Sequence, residues 1–406
     1  MGKRGLGSLL KRGVAETIVE SELVSLLESG KSLRLKQGFD PSRPDIHLGH
    51  VVGLKKLSQF QQLGHQVILI VGDWTAQIGD PSGQSATRSM LSAEEVRANA
   101  ETYMEQFFKI VDKDKTQVRW QSEWFGDFGL DDVVKLTSKF TVAQMLARDD
   151  FSKRYEAGRP IAVTELLYPL LQAYDSVVIE SDVEFGGIDQ KFNCLVGREL
   201  QEIMGQKPQQ LLLMPLLVGT DGVHKMSKSL DNYIGVDEPP YEIYGKVMSI
   251  PDDLIKLYFE LVTDVSDKEF REIKQQLSSE SINPMLLKKR LAREIVSQFH
   301  GDQAASEAEG YFTKVVQHRD VPDDLPECSF SLLGSRIFRD GSDLSTADVT
   351  ELLTISGLVS SRGEAKRFLS QGAIEIDGEK VTETCITLRE GSIVKVGKRR
   401  FVKMVK

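Results

Sequence analysis

Gly38-Phe39-Asp40-Pro41-Ser42-Arg43-Pro44-Asp45-Ile46-His47-Leu48-Gly49-His50 lies between a strand pattern and a helix pattern. Ahead of it, Leu33-Arg34-Leu35-Lys36-Gln37 alternates apolar and polar residues, the period-two signal of a strand. Behind it, Val51, Leu54, Leu57, Phe60 and Leu63 recur at helical spacing until Gly64. The stretch is therefore a strand end, a proline-held turn and the first turn of a helix. Such a junction presents unpaired amides and the positive end of a helix dipole, which suit phosphate. His47 and His50, three apart, project from one face of that turn. Gly49 between them lets a flat ligand lie against the backbone.

Working outward, Val67-Ile68-Leu69-Ile70-Val71 is a continuous apolar run, as in a buried parallel strand. It opens into Gly72–Gly83, a loop too rich in glycine and proline for helix or inner strand. Strand, helix and strand at these lengths predict a parallel α/β sheet, with ligands outside the carboxyl ends of its strands. Further strands are expected at Val177-Val178-Ile179 and at Leu211–Val218. Leu9 to Gly30 reads as one helix, with Val14, Ile18, Leu23, Leu26 and Leu27 as its apolar stripe. Ser92-Ala93-Glu94-Glu95 is a capping box, and residues 82 to about 162 read as an insertion into the sheet. Thr164–Tyr174 is a helix that sets Tyr168, Gln172 and Asp175 on one face.

The chain of 406 residues is long enough for two or three domains. We expect a catalytic domain over 1–218, a helical domain over 219–320, a linker over 321–344 and a small module over 345–406. The linker reading rests on Pro322, Pro326 and Gly334. In the module, Ser361-Arg362-Gly363-Glu364 reads as a capping box and Ile374–Val381 as a hairpin with an Asp-Gly turn. A net charge of −9 by itself argues against a nucleic-acid partner. Its distribution reverses that: residues 345–406 hold 11 Lys/Arg against 8 Asp/Glu, the remainder 40 against 52. A basic tail on an acidic body is expected where one module meets a phosphate backbone. No stretch approaches the length of a membrane span, and Cys194, Cys328 and Cys385 lack metal-ligand spacing. They read as reduced thiols of a cytoplasmic protein.

An H-x-x-H pair alone is most often the start of a surface helix. Here it has a distant partner, Lys225-Met226-Ser227-Lys228-Ser229, whose lysines are point charges able to reach a phosphate. Neither a P-loop nor a G-x-G-x-x-G fingerprint is present. The pair HLGH and KMSKS resembles the signature of the class I aminoacyl-tRNA synthetases, and the tail resembles the small RNA-binding domain first named in ribosomal protein S-four. Within class I the chain is similar to the tyrosyl branch through GFDP at Gly38–Pro41, IGDPSG at Ile78–Gly83, Tyr168-x-x-x-Gln172-x-x-Asp175 and GGIDQ at Gly186–Gln190. The tryptophanyl enzymes are the nearest rivals, but generally lack such a tail.

The resemblance implies a Rossmann-like catalytic domain with a connective insertion, an α-helical domain and an α+β RNA-binding tail. It implies activation of tyrosine by ATP with Mg²⁺, no tightly bound cofactor, tRNA as partner and a homodimer joined through the insertion. His47, His50, Ser42, Lys225 and Lys228 would stabilise charge on phosphoryl oxygens, with no more than ordinary tuning of the histidines. Asp40, Gly49, Gly187, Asp189 and Lys228 would bind ATP or the adenylate. Asp80, Tyr168 and Gln172 would hold the ammonium group, Gln190 would lie near the reacting carboxylate, and Asp175 would accept from the phenol. Lys36 stands where many relatives place a tyrosine, and would be a second partner for the phenol. Lys366, Arg367, Lys398 and Arg399 would meet tRNA. The alternative is a non-catalytic RNA-binding protein on the same scaffold, which the intact histidines and lysines argue against.

Overall fold

The computed structural model describes residues 3–81, 91–279, 282–317, 325–332, 338–339, 344–397 and 400–405. The chain forms two compact units, Met1–Asp302 and Gln303–Lys406.

The first unit is built on a six-stranded sheet: β1 (Glu16–Ile18), β2 (Arg34–Phe39), β3 (Gln66–Val71), β4 (Thr116–Trp120), β5 (Val183–Gly187) and β6 (Gln210–Met214). Their order is β1-β6-β5-β2-β3-β4, with β2 to β6 mutually parallel and β1 antiparallel at one edge. Val67 to Val71 and Leu211 to Met214 are all buried, which is why both runs read as apolar throughout. From β2 the chain moves outward to β3 and β4, then returns to β5 on the other side of β2. The direction of winding therefore reverses between β2 and β5, the crevice where such sheets take ligands. Helix Leu48–Gln61 follows β2, and helix Lys191–Ile203 follows β5.

The structure corrects several expectations. Leu9 to Gly30 is not one helix: helix Lys3–Leu9 is followed by Gly13 at φ 65°, then β1, then helix Glu20–Glu28. The β-branched Val14, Thr17 and Ile18 were mistaken for helical stripe. Val177 and Val178 end helix Val163–Val178, so the strand lies at β5 instead. A short β-branched run does not distinguish a buried helix end from a strand. The Gly72–Gly83 loop contains a one-turn helix, Thr75–Ile78, and its last two residues, Ser82 and Gly83, fall outside the described ones. The stretch 82–162 is not a separate insertion throughout, because β4 pairs in parallel with β3 from Val67↔Thr116 to Val71↔Trp120.

In the second unit a five-stranded sheet runs in the order Glu379–Lys380, Ile374–Ile376, Ile393–Val396, Arg400–Val405, Glu327–Ser329. The Asp377-Gly378 turn has both residues at positive φ, 52° and 88°, as a tight hairpin requires. Glu327–Ser329 comes from the stretch expected to be a linker. It pairs with the last strand because Cys328 and Phe330 bury in the same core as Val402 and Met404. The expected capping box is half formed: Ser361 accepts from the Glu364 amide, but Glu364 accepts from the Ser360 amide.

Candidate active site

His47 caps helix Leu48–Gln61. Its Nδ1 accepts the Gly49 amide at 3.1 Å, and His50 Nδ1 accepts the His47 amide at 3.2 Å. Both rings thus use Nδ1 as acceptor, which leaves the proton on Nε2 as a donor. Their centroids are 4.1 Å apart. Burial pushes His47 well below the usual histidine range, helped by His50, Lys228 and Lys225. Burial, then the Lys228 charge, lower His50 to about 4. The expectation of ordinary tuning is therefore corrected: near neutrality both imidazoles are uncharged donors. Gly49 is required between them, since a Cβ there would stand 2.8 Å from the His47 ring.

The KMSKS segment is fastened at both ends. Met226 donates its amide to Leu217 O at 2.8 Å, and Ser227 donates its amide to Asn232 Oδ1 at 2.8 Å. The buried Asn232 also donates to Asp221 Oδ2 at 3.0 Å and to Lys225 O at 3.2 Å. Two residues on, Ile234 O accepts the Leu48 amide at 2.9 Å, so the segment is tied to the start of the HLGH helix. Lys225 Nζ is 2.9 Å from Asp189 Oδ2. Lys228 donates to the Asp45 carbonyl and lies 5.8 Å from the centre of the Tyr103 ring. Partial burial lowers its pKa to about 8, so it stays mainly charged at neutral pH.

Between these two walls lies a cavity of about 380 Å³. Asp40, Ser42, His47, Gly49, His50, Asp80, Tyr168, Gln172, Asp175, Gly187, Asp189, Gln190 and Lys225 all line it. Tyr168 donates its hydroxyl to Asp40 Oδ2 at 2.8 Å, and Thr75 donates to Asp40 Oδ1 at 2.7 Å. Asp80 accepts from Gln190 Nε2 at 2.6 Å, and Arg148 Nη2 is 3.6 Å from its other oxygen. At Gly187 a Cβ would come within 2.5 Å of Asp189 Oδ1, so only glycine leaves that carboxylate in place.

Asp175, 2% exposed, accepts from Gln121 Nε2 at 2.9 Å and Trp124 Nε1 at 3.1 Å. Burial raises its pKa to about 7, against the Lys36 ammonium and the Gln121 hydrogen bond, which hold it down. The protein thus supplies donors that the sequence reading left to the ligand. Gln121 and Trp124 were missed because the stretch after β4 carries no motif.

Lys36 and Lys228 are not among the lining residues. Lys36 is fully buried, and its ammonium is taken up by Glu184, Gln172 O and Ser176 Oγ. This corrects its expected place beside a phenol: three acceptors already satisfy its three protons. In the second unit Lys366 and Arg367 are exposed on helix Arg362–Ser370, whereas Lys398 and Arg399 lie outside the described residues.

Comparison with known proteins agrees with this geometry. A family model described as tRNA synthetases class I (W and Y) matches residues 28–317. A second, for the tyrosine–tRNA ligase SYY-like C-terminal domain, matches residues 341–402. The chain is 63% identical over 400 residues to a tyrosine–tRNA ligase of Dehalococcoides mccartyi, covering 98% of both. It is 48% identical to that of Thermotoga maritima, covering 98% of this chain and 96% of the relative. Among solved structures, Archaeoglobus fulgidus tyrosyl-tRNA synthetase complexed with L-tyrosine superposes with a TM-score of 0.61 at 25% identity, over 75% of this chain and 98% of that one. The truncated mitochondrial tyrosyl-tRNA synthetase of Aspergillus nidulans shares the fold at 22% identity, TM-score 0.63, over 77% and 92%. On its sequence, its fold and both of its modules, the chain belongs to the tyrosine–tRNA ligase family of class I aminoacyl-tRNA synthetases.

Proposed function

We propose that the cavity between HLGH and KMSKS joins L-tyrosine and ATP as tyrosyl-adenylate and pyrophosphate, and that the same site then passes tyrosine to the 3′ end of its tRNA. The observation that carries this reading is the convergence of His47, His50, Asp189 and Lys225 over a pocket floored by Asp175. A tyrosine carboxylate is ionised at neutral pH and attacks the α-phosphate without a general base. The chain's task is to stabilise charge on phosphoryl oxygens as the pyrophosphate leaves. Neutral Nε2–H donors suit this: they donate to an oxyanion and need neither gain nor lose a proton. The N-terminus of helix Leu48–Gln61 adds its dipole, and Lys225 and Lys228 bring positive charge from the opposite wall. Mg²⁺ enters with ATP, as part of the substrate.

Deeper in the pocket, Asp80, Gln172 and Tyr168 are the acceptors for the ammonium group, and Gln190 stands beside the carboxylate. Asp175 accepts from the phenol hydroxyl, Asp189 from the ribose, and Asp40 and Gly187 contact the adenylate. Exposed Lys366 and Arg367 of the basic tail meet tRNA backbone. Leu130, Val134, Val142 and Val163 are exposed at 80%, 57%, 63% and 76%, an apolar face suited to a two-fold partner. No helix of the described residues is long and apolar enough to cross a membrane, and we place the enzyme in the cytoplasm. Tyrosine-dependent exchange of pyrophosphate into ATP tests the reading. Exchange with tyrosine alone among the amino acids supports it, and no exchange with tyrosine refutes it.

A further inference from the structure

β2 and β5 lie side by side in parallel, and their register sets Lys36 directly against Glu184. The side chains are 0% and 2% exposed, and Nζ stands 2.9 Å from Oε1. A buried ion pair gains little stability by itself, because removing both charges from water offsets their attraction. Such a pair persists when its remaining hydrogen bonds are met, and here they are. Lys36 donates to Glu184, to Gln172 O at 2.8 Å and to Ser176 Oγ at 2.7 Å. Glu184 accepts from Lys36, from Gln172 Nε2 at 3.1 Å, from Ser176 Oγ at 3.4 Å and from Gln209 Nε2.

Two consequences follow for the cavity. Gln172 is held at both ends, its carbonyl by Lys36 and its amide by Glu184, although neither grip belongs to its own helix. Asp175, one turn further on, lies in the field of both charges, the ammonium favouring its ionised form and the carboxylate opposing it. The groups that touch Asp175, Gln121 and Trp124, are neutral. Cys194, on the helix after β5 and beside Glu184, is kept protonated by burial. Lys36 from β2 and Glu184 from β5 are therefore the charges that act on it.

We propose that Lys36 and Glu184 form one positioning unit for tyrosine, which aims the Gln172 amide at the cavity and supplies the opposed charges between which the Asp175 carboxylate works. This rests on the cavity being the tyrosine site. Neither residue touches the ligand; both act through Gln172 and Asp175.

The test uses the full-length chain and pyrophosphate exchange from about pH 5.5 to 9. The variants are Lys36→Met, Glu184→Gln and the double variant. The acid limb of kcat/KM for tyrosine, set by Asp175, should move up by roughly 1 pH unit or more in Lys36→Met, where the favourable charge is lost. It should move down by a similar amount in Glu184→Gln and return near the wild-type position in the double variant. KM for tyrosine should rise roughly tenfold in each single variant, with KM for ATP nearly unchanged. A pair that merely supports the fold would weaken both variants without opposed shifts, and that result overturns the proposal. If Lys36→Met leaves Glu184 unpaired and does not fold, Glu184→Gln decides alone: a limb displaced to lower pH supports the unit, an unmoved limb overturns it. Absence of tyrosine-dependent exchange in the wild type would instead sink the functional reading.

Discussion

Replacing Asp175 with alanine should cost the enzyme its means of telling tyrosine from phenylalanine. The carboxylate is 2% exposed and holds two neutral donors, Gln121 and Trp124. A phenol hydroxyl donating to such a charged, buried acceptor contributes about 1.5–3 kcal/mol. At about 1.4 kcal/mol per decade, that is a loss of roughly 10- to 150-fold in kcat/KM for tyrosine. Phenylalanine never made the bond, so its rate should hardly fall and the ratio of the two should shrink by the same factor. The substitution also leaves Gln121 and Trp124 without their acceptor, which costs about 1–3 kcal/mol of stability. Asp175→Asn, which keeps an acceptor oxygen and the volume, separates the two effects: it should recover most of the Tm but not the discrimination. Pyrophosphate exchange with each amino acid, beside thermal melts, reads all of this. A folded Asp175→Ala enzyme with an undiminished preference for tyrosine would refute the reasoning.

Lys228→Ala should slow adenylate formation by ~10²–10³ and leave tyrosine affinity nearly intact, because its charge is used mainly in the transition state; single-turnover kinetics beside equilibrium binding would show it. His50 should titrate near 4 by NMR, well under its usual 6.5. Between those values the unfolded chain binds a proton that the folded chain does not, so this histidine's contribution to stability is full above about 6.5 and falls away towards 4. His50→Gln should flatten that part of the stability profile by up to one proton, as denaturant melts at several pH values will report. Truncation after Asp343 should preserve tyrosine-dependent exchange but impair aminoacylation, with a deficit that grows with salt. Undiminished aminoacylation would remove the tail from the tRNA interface.

The sequence by itself determined the corner at Gly38–His50, because its turn residues and the change of period from two to helical spacing are local. It likewise determined the buried strand Val67–Val71, the capping box at Ser92 and the Asp377-Gly378 hairpin, each encoded within a few residues. The motif residues lining the cavity were legible because their spacing along strand ends and one helix face is a sequence property. Tertiary structure alone decided the partners. β4 joined the sheet, and so brought Gln121 and Trp124 to Asp175, through a register of hydrogen bonds that no side-chain pattern records. Lys36 read as a group for the ligand, yet the β2–β5 register handed it to Glu184, 148 residues away in the chain. The histidines' loss of charge was equally hidden, since desolvation depends on what packs around a ring. Local pattern chooses the element and the face; which charge meets which, and how dry the meeting is, depends on strand order, and strand order is settled by burying the whole sheet at once.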